Sequence, residues 1–229
     1  MDCSLGEHNA FSKMTLDWVH PYIPKGECTV TLRPSSGNGD CLLLPLTSYN
    51  GTPYDEYLLL EYYTPSYLNY ADATLRAEKD MSLMKKAGIK AYHVDGRLGI
   101  YDDHGKTPLE VLSSASNIGN KSVDLYCDNS GSVSAGTASS GRGFLIQLLD
   151  ASSNSFALCE NYIASDHEED YLIGDKVAHL RDCLFEVGRG IGMNTKGSPS
   201  HSGEKLAYGF EVKSITATSA TLDIFPLNS

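Results

Sequence analysis

Strand-like segments and turn signals alternate along most of this chain, and no other feature constrains its fold as much. Glu27–Arg33 (ECTVTLR) alternates, with Cys28, Val30 and Leu32 on one face. Ser35–Asp40 (SSGNGD) is rich in residues that tolerate positive φ and reads as a turn. Cys41–Leu46 then returns as an apolar strand. Together these predict a β-hairpin, with Pro45 at an edge or strand end. The Asn-Gly pair in Tyr49–Pro53 signals a second turn, followed by the strongly apolar strand Glu56–Tyr63 (EYLLLEYY). Ile89–Asp95 (IKAYHVD) and Phe144–Leu149 are further strands. Leu206–Lys213 and Ile215–Phe225 form a closing pair, and the alternation of the second shifts near Ala220–Thr221 as a bulge would shift it.

Two segments have helical character. Asn9 is a suitable N-cap and Pro21 a suitable stop for an amphipathic helix, with Phe11, Met14, Thr15 and Trp18 at i, i+3, i+4 and i+7. Leu68–Lys86 is charged and helix-compatible, with Gly88 as its stop. Asp102–Gly141 reads mostly as loop. Within and just beyond it, Ser130–Gly143 is rich in Gly and Ser, the composition of a linker or a long surface loop. The expected fold is therefore mainly β, of the α+β kind: an antiparallel β-sandwich with an N-terminal amphipathic helix and one further helical segment. Residues 1–25 form the helical start, and residues 26–229 the sandwich-like domain.

Charge narrows the partners. A formal net charge of -11 over 229 residues does not suit nucleic acid, which needs clustered Lys and Arg. No apolar run approaches the length of a membrane-spanning helix, and residues 1–20 carry no signal-peptide pattern. The six cysteines, Cys3, Cys28, Cys41, Cys127, Cys159 and Cys183, form no CxxC pair. Their even count allows three disulfides, but their wide spacing is not that of a small disulfide scaffold or a structural zinc site, and free or buried thiols are the favoured expectation.

No HExxH, GxSxG, P-loop or GxGxxG pattern is present. The remaining candidates are looser. His93 and Asp95 lie two apart on a predicted strand and share a face, so they can hold a metal or a proton together. The alternative is a strand histidine satisfied by a neighbouring carboxylate. Glu56 and Glu61, five apart on their strand, face opposite sides and form no catalytic pair by themselves. Glu61 either meets a facing cation or is a solvated charge near the strand end. The acidic stretch Ser165–Tyr171 offers Asp166, Glu168 and Asp170 as calcium ligands, without the EF-hand pattern; a solvated acidic loop is the alternative. Asp102, Asp103 and His104 have the same status. The tyrosines at 54, 57, 62, 63, 67 and 70 are expected to pack across strands rather than to form a binding surface.

Taken in order, four segments resemble the M6 (immune inhibitor A-like) zinc metalloproteases. They are GEHNAFSKMTLDWVHPYI at Gly6–Ile23, CTVTLRP at Cys28–Pro34, DEYLLLEYY at Asp55–Tyr63 and GIKAYHVDGRL at Gly88–Leu98. That family has a GxxNAxSKxxLGW helix after its active site, then EYxLIExR-like and GLxIxHVD-like strands. The likeness covers residues 1–100; over the rest only the order and strand character match. Asp17 departs from it, standing where the family often has glycine before the tryptophan. The resemblance implies that Met1 is a relic of the methionine turn, and that the zinc ligands and catalytic glutamate lie upstream of residue 1. This chain would then be the non-catalytic C-terminal portion of a secreted zinc metallopeptidase acting on protein or peptide. Its partner would be the upstream catalytic domain, with His8, His93, Asp95 and Glu61 near the site. By the same resemblance the location is extracellular or in the cell envelope, and this portion is inactive alone. Two other readings are a stand-alone β-sandwich binding module or inactive peptidase homologue, and an independent enzyme in which His93, Asp95 and Glu61 converge.

Overall fold

A computed structural model describes residues 7–70, 73, 85–102, 108–127, 144–151, 183–192 and 200–227. The fold is mainly β. In chain order the elements are α1 (Ala10–Thr15), β1 (Cys28–Leu32), α2 (Ser35–Asn38), β2 (Cys41–Pro45), β3 (Glu56–Tyr63), β4 (Gly88–Asp95) and β5 (Leu98–Tyr101). They continue with β6 (Pro108–Val111), β7 (Ser122–Leu125), β8 (Ile146–Leu148), β9 (Gly190–Ile191), β10 (Tyr208–Ile215) and β11 (Ala220–Pro226). Two four-stranded antiparallel sheets, ordered β2-β3-β4-β8 and β1-β11-β10-β9, make the sandwich. A third sheet, β6-β5-β7, extends from the end of β4.

The sheet containing β3 is covered on both faces, which explains why EYLLLEYY reads as a continuous apolar run rather than an alternation. Every residue of β3 is buried. On one face Leu58, Leu60, Tyr62, Ile89 and Ala91 pack against Phe210, Val212, Leu222 and Ile224 of the second sheet. On the other, Tyr57, Leu59, Tyr63, Tyr92 and Val94 pack against Ala10, Met14 and Val19 around α1, and against Leu184.

Several sequence expectations are corrected. β1 and β2 do not form a hairpin: β1 pairs with β11 and β2 with β3, in different sheets. The expected turn between them holds a single helical turn, α2, closed by Gly39 at φ 70, and this carries the chain from one sheet to the other. Pro45 does end an edge strand. The bulge in the closing pair lies across from Leu222 and Thr221, but it is carried by β10, between Val212 and Ser214, and not by the second strand. The shift in alternation arises because residues 216–219 are a turn, not a strand. In the described part of Asp102–Gly141, loop predominates as expected, but two short strands, β6 and β7, interrupt it and both pair with β5. Residues 128–143 lie outside the described residues, as does most of the segment expected to be helical at Leu68–Lys86, at whose start a 3-10 turn spans Tyr67–Asn69.

The N-terminal helix is shorter than its pattern suggested. Asn9 caps it, its side chain accepting from the Ser12 amide at 2.9 Å. It ends at Thr15 in a Schellman motif, in which the Trp18 amide bonds Lys13 O at 2.8 Å and the Asp17 amide bonds Met14 O at 3.1 Å. Asp17 sits at φ 60, the left-handed position that glycine usually fills. Because the chain turns there, i+7 no longer lies over i. Met14 is buried, while Thr15 and Trp18, expected on the same face, are exposed, Trp18 at 63%. Of the tyrosines, Tyr57, Tyr62 and Tyr63 pack inside, whereas Tyr54, Tyr67 and Tyr70 are exposed.

Candidate functional site

Glu56 is the first residue of β3 and Asp95 the last of β4, and the register sets them opposite each other. Both point to the inter-sheet face at the end of the sandwich, and His93 lies two pairs further in, opposite Leu58 and on the same face. At Gly96 the chain turns so tightly that a Cβ would come 2.6 Å from Pro53 O, so only glycine fits. Arg97 follows immediately. β7 then delivers Cys127 to the same place, the Tyr126 amide bonding Arg97 O at 2.8 Å. The last contribution comes from the turn at 200–204. It is tied down by Thr47, whose amide bonds Lys205 O at 3.0 Å and whose hydroxyl donates to Glu204 at 2.6 Å.

The result is a buried, charge-rich cluster. His93 Nε2 lies 2.7 Å from Glu56 Oε1, with both side chains 1% exposed. Glu56 also accepts the backbone amides of His201 at 2.5 Å and Ser202 at 2.9 Å. Asp95 accepts Arg97 through Nε at 2.8 Å and Nη2 at 2.7 Å, and Cys127 Sγ at 3.1 Å. His201 Nδ1 lies 2.8 Å from Asp95 Oδ2, and its ring stands edge-on to His93 at 4.7 Å. His201 and Arg97 reach the surface, their side chains 22% and 17% exposed.

Burial pushes Glu56 toward its protonated form, but the hydrogen bonds from His93 and Ser202 and the charge of His93 hold it below the ordinary glutamate range. Burial acts the same way on Asp95. The Arg97 guanidinium, with hydrogen bonds from His201 and Cys127, overrides it and holds this carboxyl far below its usual value. Burial also opposes the Arg97 charge, and Asp95 and Glu56 more than restore it. The cluster thus keeps two ionised carboxylates in the interior.

His93 and Asp95 therefore come together as their spacing suggested, and His93 also meets a carboxylate, Glu56, from the neighbouring strand. Glu61 does not join them. It lies on the opposite face, where Tyr92 Oη donates to it at 2.9 Å and Lys90 Nζ is 4.0 Å away. A site formed by His93, Asp95 and Glu61 is excluded by strand geometry, since Glu61 and His93 point to opposite sides of one sheet. His8 is exposed beside Trp18, their rings edge-on at 5.7 Å, and belongs to the α1 end. Met1, His104 and the calcium candidates Asp166, Glu168 and Asp170 lie outside the described residues. Cys28, Cys41 and Cys127 are not disulfide-bonded, whereas Cys183 is, so the described cysteines are thiols in the main with one in a disulfide.

Among the described residues, two overlapping donor sets emerge: Glu56, His93 and His201, and Asp95, Cys127 and His201. Within each, one ligand atom per residue lies within 4.8 Å of the others. Sequence reading missed Glu56, Arg97, Cys127 and His201 as partners, because 145 positions separate Glu56 from His201. The one local signal for the missing members was the DGR triplet, which sets Arg97 two residues after Asp95. A groove lined by Trp18, His20, Tyr22, Thr29, Thr31 and Asp40 lies elsewhere, and no cluster residue lines it. No family model, curated protein or solved structure matches this chain.

Proposed function

We propose that this chain is the non-catalytic β-sandwich portion of an M6-like zinc metallopeptidase, supporting a catalytic domain on its N-terminal side. The observation that carries the reading is the end of α1. The four quoted segments resemble that family, and the residue replacing its usual glycine, Asp17, adopts the backbone conformation glycine would supply. On either side of it, Leu16, Trp18 and Tyr22 expose 51%, 63% and 51% of their surface. An exposed apolar group of this kind suits contact with a neighbouring domain. It counts against a stand-alone module, which would leave these side chains in water. The zinc ligands and catalytic glutamate belong to that upstream domain, as do the protein or peptide substrate and the extracellular or cell-envelope setting.

The test is the gene sequence before Met1 together with one assay. An in-frame HExxH upstream, and caseinolytic activity in the longer product but not in residues 1–229, is the expected result. A stop codon close upstream of Met1 overturns the proposal.

A further inference from the structure

We infer that Glu56, His93 and His201 form a binding site for one divalent transition-metal ion of the zinc class, positioned by Asp95 and Arg97. This site lies within the described sandwich, is separate from the zinc centre assigned above to an upstream domain, and does not rest on the peptidase reading. Three lines of geometry support it. Two imidazoles and one carboxylate offer ligand atoms within 4.8 Å of one another. Tetrahedral zinc, with bonds of about 2.0–2.1 Å, needs its ligand atoms about 3.4 Å apart, so closure asks for shifts of about 1 Å. The 2.7 Å contact between His93 Nε2 and Glu56 Oε1 opens by a similar amount, and the metal replaces the proton shared there.

The second line is the support around the ligands. A metal-bound histidine ordinarily gives its other ring nitrogen to a carboxylate. His201 Nδ1 is held by Asp95 at 2.8 Å, which fixes the ring and leaves Nε2 as its metal donor. Asp95 is itself clamped by Arg97 through two bonds. The third is charge. Arg97 neutralises Asp95 at 2.7 Å but stands 3.9 Å from Glu56, so Glu56 is the anionic ligand. This favours the first donor set over Asp95, Cys127 and His201, whose carboxylate the guanidinium already occupies. Imidazole donors select zinc-class metals over calcium, which takes six to eight oxygens. Because His201 alone of the three ligands is appreciably solvent-exposed, the fourth position faces outward and is open to water.

The experiment uses residues 1–229, stripped with a chelator and titrated with zinc by calorimetry and with cobalt(II) by absorption. One equivalent of each should bind, and the cobalt spectrum should show tetrahedral ligand-field bands without a thiolate charge-transfer band. His201→Ala, partly exposed and therefore able to fold, should weaken zinc binding at least about 100-fold, and Asp95→Asn about 10- to 100-fold. Glu61→Gln, on the other face, should bind as the parent does. Calcium should neither bind in the same place nor compete. Absence of stoichiometric zinc in the folded parent, unchanged affinity in His201→Ala, or a thiolate band that Cys127→Ser abolishes, would each overturn the assignment.

Discussion

β3 buries two glutamates, five residues apart, on opposite faces of the same sheet, and the two faces treat them differently. Glu56 is 0% exposed and Glu61 3%, so burial does not distinguish them. On the inter-sheet face Glu56 takes a histidine and two backbone amides, and its carboxyl is held below the ordinary range. On the α1 face burial raises Glu61; Lys90, Lys13 and the Tyr92 hydrogen bond offset only part of this, and Oε2 has no hydrogen-bond partner among the described residues. What sets the charge of a buried carboxylate here is the number and aim of its donors, not its depth.

The largest test removes each charge in turn. Glu56→Gln withdraws the partner of His93 and is expected to cost on the order of 3–5 kcal/mol by urea unfolding. Glu61→Gln should lie within about 1 kcal/mol of the parent, because a neutral amide suits that site. Asp95→Asn belongs with Glu56→Gln, whereas Asp102→Asn, at an exposed position, should change little. The pH dependence separates the faces further. For Glu56 and Asp95 the folded pKa is depressed, so their stabilisation is present above the unfolded values and is lost as pH falls through the folded ones. For Glu61 the folded pKa is raised, so its contribution is full below an unfolded value of about 4.3 and is lost as pH rises through the folded one. The parent should therefore lose stability relative to Glu61→Gln on going from acid to neutral pH. Equal costs for Glu56→Gln and Glu61→Gln at neutral pH would break the comparison.

Thiol reactivity probes the α1 face from the same sheet. Cys41 lies opposite Glu61 in the β2–β3 register. Burial first, and then the Glu61 charge, push its thiol up to about 12. Its thiolate fraction at pH 8 is then about 10³-fold below that of an ordinary thiol. Peptide mapping after brief alkylation should find half-buried Cys28 modified well before Cys41. Glu61→Gln should quicken Cys41 several-fold without touching Cys28. If Cys41 reacts as fast as Cys28 in the parent, α1 does not cover this face as described.

How much of this could be read in advance follows from distance along the chain. The strand character of Glu56–Tyr63 and Ile89–Asp95, and the shared face of His93 and Asp95, are local properties and were legible. So was the opposition of Glu56 and Glu61, which follows from the two-residue period of a strand. Which face meets what was not legible, because the segment between β3 and β4 is too long to set a register. Cys127 reaches the cluster through the pairing of β7 with β5, and His201 through a turn held by Thr47, both from distant parts of the chain. The hairpin expectation for β1 and β2 failed for a related reason: a short connection looks the same in sequence whether it reverses a strand or carries it to another sheet.

Smaller effects gauge how firmly α1 is held over the Glu61 face. Asp17 occupies a left-handed position at the C-terminal end of the helix, where a side chain costs energy that glycine does not. Asp17→Gly should stabilise the protein by about 0.5–1 kcal/mol, raising the denaturant midpoint with an unchanged slope. A loss of stability instead would mean that the exposed Asp17 side chain, 3.6 Å from His20, matters more than its backbone strain.

The smallest effect is expected at Trp18, and it separates the helix's inner contacts from its outer surface. Met14, one turn earlier, is buried against the α1 face, whereas Trp18 lies past the Schellman turn and touches the edge-on ring of His8. Trp18→Ala should cost about 0.5 kcal/mol or less, in the range of surface substitutions, and Met14→Ala about 2–5 kcal/mol, as for a core side chain. Trp18 is the single tryptophan, so its fluorescence can be read without interference. Iodide should quench it in the folded protein nearly as well as after unfolding. A cost near 3 kcal/mol, or a shielded indole in the isolated chain, would place Trp18 in the core and remove the exposed apolar surface on which contact with a neighbouring domain depends.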